Sequence, residues 1–137
     1  MEVVFSYSLQ NAWFNAISSL CVYNSGKVVC THENSKVVYQ ISADIVNQIY
    51  GIISRFPELM HNYEIFDIAY PYVLDGFSNS FVFNDGKKIN NITALNLKYF
   101  KNNNVVKNEK ADVLLIVFEE IAELLMKNGI DKEYISL

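Results

Sequence analysis

Phe77, Asn79, Phe81 and Phe83 alternate with Ser78, Ser80 and Val82. A period of two puts the phenylalanines on one face of a β-strand. Asn84-Asp85-Gly86 follows, a tight-turn sequence in which glycine can take the positive φ that a hairpin loop needs. Residues 73–89 therefore predict a β-hairpin, around which the chain is organised. The runs 13–62 and 95–137 are expected to cover its apolar face.

The same alternation recurs before and after this hairpin. Val3, Phe5, Tyr7 and Leu9 alternate with Val4, Ser6 and Ser8, predicting a first strand that Gln10 and Asn11 break. Trp13-Phe14 then reads as loop or as the start of the next strand. Residues 17–23 and 27–33 predict a second hairpin about Asn24-Ser25-Gly26, and 37–41 is a short run of β-formers. In 64–73, Ile65, Asp67 and Ala69 alternate against Phe66, Ile68, Tyr70 and Tyr72. A strand is expected there, its Pro71 end at a sheet edge or bulge because proline cannot donate to the ladder. Asn90-Asn91 suggests a bulge, and Leu95, Leu97 and Tyr99 resume the alternation.

Two stretches change period to 3.6. After Ser42, a good N-cap, Ile45, Ile49, Ile52, Ile53 and Phe56 recur at helical spacing until Pro57 ends the run. Gly51 inside this helix either admits a close neighbour or is simply tolerated. Asn108 caps a longer helix running to about Asn128. Val113, Leu114, Val117, Phe118, Ile121, Leu124 and Leu125 form its apolar side, and Gly129-Ile130 supplies a Schellman end. Residues 113–118 are apolar all round the helix, so cover is needed on more than one side. Ile116 falls beside Glu119, Glu120 and Glu123 and is the residue least expected to find that cover within the chain.

An apolar sheet face and two amphipathic helices need each other. The expected fold is α+β in two layers, a mostly antiparallel β-sheet of six or seven strands with two main helices packed on one face. At 137 residues one domain, 1–137, suffices. Residues 17–27 resemble 77–87, and Ala43-Asp44-Ile45-Val46 resembles Ala111-Asp112-Val113-Leu114. These matches raise an internal duplication of a hairpin–strand–helix unit, about 13–62 and 73–129. Turns and helix starts also draw on few residue types, so chance accounts for the same matches.

Composition narrows the function classes. The chain is 51% hydrophobic and 14% aromatic but only 19% charged, so there is apolar surface for a large core or for a partner. A net charge of −4 argues against nonspecific binding to nucleic acid or anionic membranes. No run reaches a membrane span. Met1-Glu2-Val3-Val4-Phe5 lacks the basic start of a signal peptide, so a cytoplasmic protein is expected. Cys21 and Cys30 then read as two free thiols in preference to a cross-strand disulfide.

Candidate chemistry is sparse. Cys30-Thr31-His32-Glu33 is the one stretch holding Cys, His and Glu together. In a strand it places Cys30 and His32 on one face, a conceivable nucleophile and base. Asp67 sits mid-strand, whereas Asp75 and Asp85 precede turn glycines. A strand end and ordinary turn chemistry account for all of these, so no catalytic residue is assigned. No metal-ligand spacing and no phosphate-binding glycine pattern occurs, so no metal site and no cofactor is expected. What remains are aromatics outside the core pattern, Trp13, Phe14, Tyr70 and Tyr72, together with Ile116, as partner-binding candidates. The expected function is a small acidic protein-binding or inhibitor-type module. In size, charge and lack of motifs it resembles immunity proteins, antitoxins and anti-defence inhibitors. The expected partner is another protein or a second copy of itself. The alternative is a small-ligand binder or enzyme whose site assembles only in the fold.

Overall fold

A computed structural model describes residues 1–13, 15–71, 76–101 and 106–137. Six strands form one antiparallel sheet: β1 (Val3–Gln10), β2 (Ala16–Tyr23), β3 (Lys27–His32), β4 (Ser35–Gln40), β5 (Ser78–Asn84) and β6 (Ile89–Leu95). Their spatial order is β4-β3-β2-β1-β5-β6. The first four strands meander outward from β1, and the later hairpin returns to pair on the free side of β1. Helices α1 (Ala43–Ser54) and α2 (Glu109–Lys127) pack on one face.

Register explains the core. Phe5 lies opposite Val22 on one side and Phe83 on the other, and Tyr7 lies between Leu20 and Phe81. All of these side chains are buried. Phe118 of α2 closes the row from above, its ring centroid 4.8 Å from that of Tyr7 and 5.7 Å from that of Phe81. Each fully buried side chain of this size contributes about 1.5–3 kcal/mol. The polar member of the row, Asn79, is buried too. Its Nδ2 donates to the Tyr7 hydroxyl oxygen at 3.0 Å, and its Oδ1 accepts from the Leu97 N–H at 3.3 Å. The Tyr7 hydroxyl in turn donates to the Ser136 carbonyl at 2.8 Å. The group is therefore satisfied rather than stranded in an apolar layer.

The helix ends follow the local rules. Ser42 Oγ accepts from the Ile45 N–H, and Asn108 Oδ1 accepts from the Ala111 N–H. At the end of α2, the Ile130 N–H donates to the Leu125 carbonyl and the Gly129 N–H to the Met126 carbonyl, which is the Schellman pair. Ile130 folds back into the core.

Three expectations need correction. The strand expected over 64–73 is not formed by its described residues, 64–71: Ile65–Ile68 is a 3₁₀ turn. Asp67 Oδ2 accepts from the Glu64 N–H at 2.9 Å while the Asp67 N–H donates to the Glu64 carbonyl, so the short i,i+3 reach outcompetes an extended chain. Among the described residues a single bridge, Ala69 to Leu95, joins this segment to the sheet; Tyr70 beside it is at the edge, as Pro71 requires. Residues 96–100 do not continue as a strand either. Asn96 takes a left-handed conformation (φ 57°), and Leu97–Phe100 is 3₁₀. The Asn96 side chain accepts from the Phe77 N–H at 2.8 Å, which fixes this corner. Asn90-Asn91 makes no bulge; β5 and β6 pair without a break from Ser78/Leu95 to Asn84/Ile89. The register shifts lie instead at both ends of the β1–β2 pairing. Gly51 brings nothing close, since a Cβ there would meet no atom within 4 Å.

Candidate interaction surface

Trp13 sits in the turn between β1 and β2 and is 80% exposed. The turn is not slack. Asn11 Oδ1 accepts from the Trp13 N–H at 2.9 Å and from the Asn15 N–H at 3.0 Å, and the Asn11 N–H donates to the Asn15 carbonyl. An asparagine side chain mimicking a backbone turn in this way is what the Gln10-Asn11 break encodes. The indole is thus presented on a braced support. Phe14 lies outside the described residues, as does Tyr72.

Antiparallel register sets what shares this end of the sheet. Gln10, the last residue of β1, lies opposite Ser78, and Ser78 lies opposite Leu95. The Trp13 turn, Phe77 and the segment from Leu95 onward therefore share one end. Tyr70 is there too, its backbone N–H donating to the Leu95 carbonyl at 2.9 Å. Its ring packs 5.6 Å from Tyr99 and 5.1 Å from Phe100. Lys98 places its ammonium 5.0 Å from the Phe77 ring centre and 5.1 Å from that of Tyr99. Contacts of this kind contribute about 0.5–1 kcal/mol at an exposed site.

Tyr70 and Tyr99 also line a cleft of about 860 Å³ between α2 and the C-terminal segment. Phe118, Ala122 and Ile135 line its apolar part, and Lys98, Lys101 and Lys132 belong to its polar part. Lys101 is paired with Glu119 at 2.9 Å across the cleft, both half exposed, so the pair is worth at most about 1 kcal/mol. The cleft combines an apolar lining with a few polar groups, as ligand sites do. Tyr99, Lys98 and Phe118 were not singled out by sequence pattern. Phe118 reads there as core, and Tyr99 reads as strand, so only the observed 3₁₀ turn brings Tyr99 beside Tyr70.

Ile116 lies elsewhere, on the outer side of α2. It is 49% exposed while Leu114, Leu115, Val117 and Phe118 are buried. Of the run 113–118 it is thus the residue left to solvent. Phe66, at 77% exposed, is a further apolar side chain that pattern reading missed, because a strand assignment gave it a face to bury.

Of the residues with candidate chemistry, Cys30 and His32 share one face of β3, and Asp67 lies in a different element. Cys30 is fully buried in the core opposite Leu20 and Val37, and burial pushes its thiol up to about 12. A thiol held protonated is no nucleophile. His32 is on the same face, with its Nδ1 buried and without a hydrogen-bond partner. Asp67 lies far along the chain in the 3₁₀ turn. The Glu64 N–H and the Lys110 ammonium, 3.3 Å away, hold its carboxyl below the usual range. Its shift thus has a structural cause. Cys21 pairs with Val29 and points to the opposite face from Cys30, so the two thiols are free. Among the described residues no group of three His, Cys, Asp or Glu side chains could hold a metal ion, and no helix is long and apolar enough to cross a membrane.

No protein-family model matches this chain, and comparison with curated proteins gives no match.

Proposed function

We propose that this protein is a small acidic binding module of inhibitor type that acts by surface contact with another protein in the cytoplasm. The observation that carries the reading is Trp13. An indole costs free energy to leave in water, and here the chain invests three hydrogen bonds in a turn that holds it there. Rigid aromatic side chains of this kind are the common anchors of protein interfaces, because they bury a large area while losing little side-chain freedom. Phe77, Lys98 and Tyr99 at the same end of the sheet would surround such an anchor with partly exposed aromatic and polar surface.

The test is a capture experiment in the native host with cross-linking, followed by reconstitution from purified components. A partner that binds the wild type and loses at least about tenfold in affinity to Trp13→Ala supports the reading, since hot-spot truncations cost 2 kcal/mol or more. A reconstituted complex indifferent to Trp13→Ala counts against it.

The cleft favours a second reading, a small-ligand binder. Its size lies within the range of ligand sites, and an aromatic and apolar lining with lysines and the carboxylates of Glu119 and Glu123 at its rim suits a partly apolar molecule with polar groups. Ala122→Trp would fill the cleft. Loss of function in that variant with Trp13→Ala active would move the assignment from the turn to the cleft.

A further inference from the structure

The two edges of the sheet are treated differently. The outer edge of β6 is covered by the chain itself. Asn90 Nδ2 donates to the Leu59 and His61 carbonyls, both at 2.7 Å, and Tyr70 donates to Leu95. The β4 edge has no such cover among the described residues. It pairs with β3 from Lys27/Gln40 to His32/Ser35 without a bulge, and it contains no proline. Its one guarding residue is Lys36. Val37, on the helix side, and Val38, on the other side at 52% exposed, leave apolar surface on both faces of the strand.

Register tells which backbone groups are free. The Ile41 N–H donates to the Gly26 carbonyl, inward toward β3. In an antiparallel ladder the pairing direction alternates along the strand. Tyr39, Val37 and Ser35 therefore also point inward, and Lys36, Val38 and Gln40 point their N–H and C=O groups outward. We propose that this edge pairs with the β4 edge of a second copy of the chain, antiparallel, about a two-fold axis through Val38.

The occupant follows from the strand's own sequence. Centred on Val38, all three outward residues find partners: Val38 pairs with its copy, and Lys36 pairs with Gln40 in both directions. Val37 meets Tyr39 of the copy on the helix side, a β-branched and aromatic pair of the kind that stabilises sheets. Lys36 faces a neutral amide rather than another lysine. The guard that would repel many strands is thus harmless in this register. The chain carries a net charge of −4, but β4 has no acidic residue, so pairing it with its copy sets no carboxylate against another along the strand. The interface is independent of the Trp13 turn.

Sedimentation equilibrium over a wide concentration range, together with amide exchange by NMR, tests the pairing. The expected result is a mass twice that of the chain at high concentration that falls to a single chain on dilution. The amides of Lys36, Val38 and Gln40 should be protected only in the heavier species. Val38→Lys puts two ammonium groups on the axis and should abolish the dimer. Val38→Pro should do the same while costing no hydrogen bond to β3, because the N–H it removes points outward. A wild type of single-chain mass at millimolar concentration would overturn the proposal. So would a dimer with those three amides unprotected, or one that persists in folded Val38→Lys.

Discussion

At the scale of single residues, two turn glycines with nearly the same backbone have different surroundings. Gly26 (φ 88°) and Gly86 (φ 94°) both follow Asn-x in hairpin loops, and the positive φ expected of each is present. A side chain in that region costs about 1–2 kcal/mol. At Gly86 a Cβ would meet nothing within 4 Å, so Gly86→Ala should cost only this backbone term. At Gly26 the same atom would stand 2.3 Å from the Ile41 carbonyl oxygen, which is also the acceptor for Gln40 Nε2. Backbone on both sides cannot yield cheaply. Gly26→Ala should therefore destabilise distinctly more than Gly86→Ala, and equal losses in urea unfolding would refute the difference. Burial at Cys30 makes a second prediction. Its folded thiol titrates near 12, whereas a free thiol titrates near ~8.5. Below that lower value both states hold the proton and the contribution is complete. Above it the unfolded chain holds fewer protons than the native one, so stability falls as pH rises toward 12. The Tyr7 phenol, raised by burial despite its bond from Asn79, adds to the loss from about pH 10 upward. Stability measured at about pH 8 and about pH 10 should fall less in Cys30→Ala than in the wild type, by on the order of 1–2 kcal/mol. Parallel pH profiles would mean that Cys30 ionises in the fold.

At the scale of elements, legibility tracked how local the deciding interaction is. The helices were readable because cap, period and end all lie within the same stretch: Ser42 and Asn108 cap where their side chains suggested, and Gly129-Ile130 ends α2. The Asn79, Phe81, Phe83 alternation likewise contains its own answer, with Asn79 sharing the buried face, whereas Phe77, expected in the same row, lies just before β5 and is only partly buried. The segments around Ile65–Ile68 and Leu97–Phe100 were misread as strands because their alternation is genuine but short. What decides them is polar: the Glu64–Asp67 pair in one, and Asn96 reaching across to Phe77 in the other. Glu64-x-x-Asp67 was a visible signal. The Asn96 contact spans 19 residues and was not. The candidate cleft depends on both segments, so it could not be read from the sequence at all. Gly51 gives this scale its prediction. It lies inside α1, with no neighbour near its missing Cβ and no positive φ to explain it. Gly51→Ala should stabilise the protein by up to about 1 kcal/mol through helix propensity alone. A loss of stability would mean that the shallow groove between α1 and α2, which Gly51 lines with Ile52 and Leu124, is closed more tightly than it stands.

At the scale of the whole molecule, the apolar surplus divides between a large interior and several separate outlets. The core takes in both helices, the sheet and the terminal residues Tyr134 and Ile135, which consumes most of the apolar fraction. Among the apolar side chains it leaves exposed are Trp13 at one end of the sheet, Val37 and Val38 at the β4 edge, Phe66 in its 3₁₀ turn, Ile89 on β6, and Ile116 on the back of α2. These outlets lie on different elements, so association through one need not involve the others. Ile116 stands apart from both proposed surfaces, and its neighbours Glu119 and Glu120 are engaged by Lys101 and Arg55. An exposed site with no such special feature tolerates substitution within about 0.5 kcal/mol. Ile116→Glu should therefore leave the melting temperature nearly unchanged. It should also leave the β4 dimer intact, because the two-fold axis through Val38 is at the sheet edge and not on α2. Comparing sedimentation of Ile116→Glu with that of Val38→Lys separates the outlets directly. Should the glutamate at 116 disperse the dimer while the lysine at 38 does not, association runs through the exposed flank of α2, and the Val38 pairing is wrong.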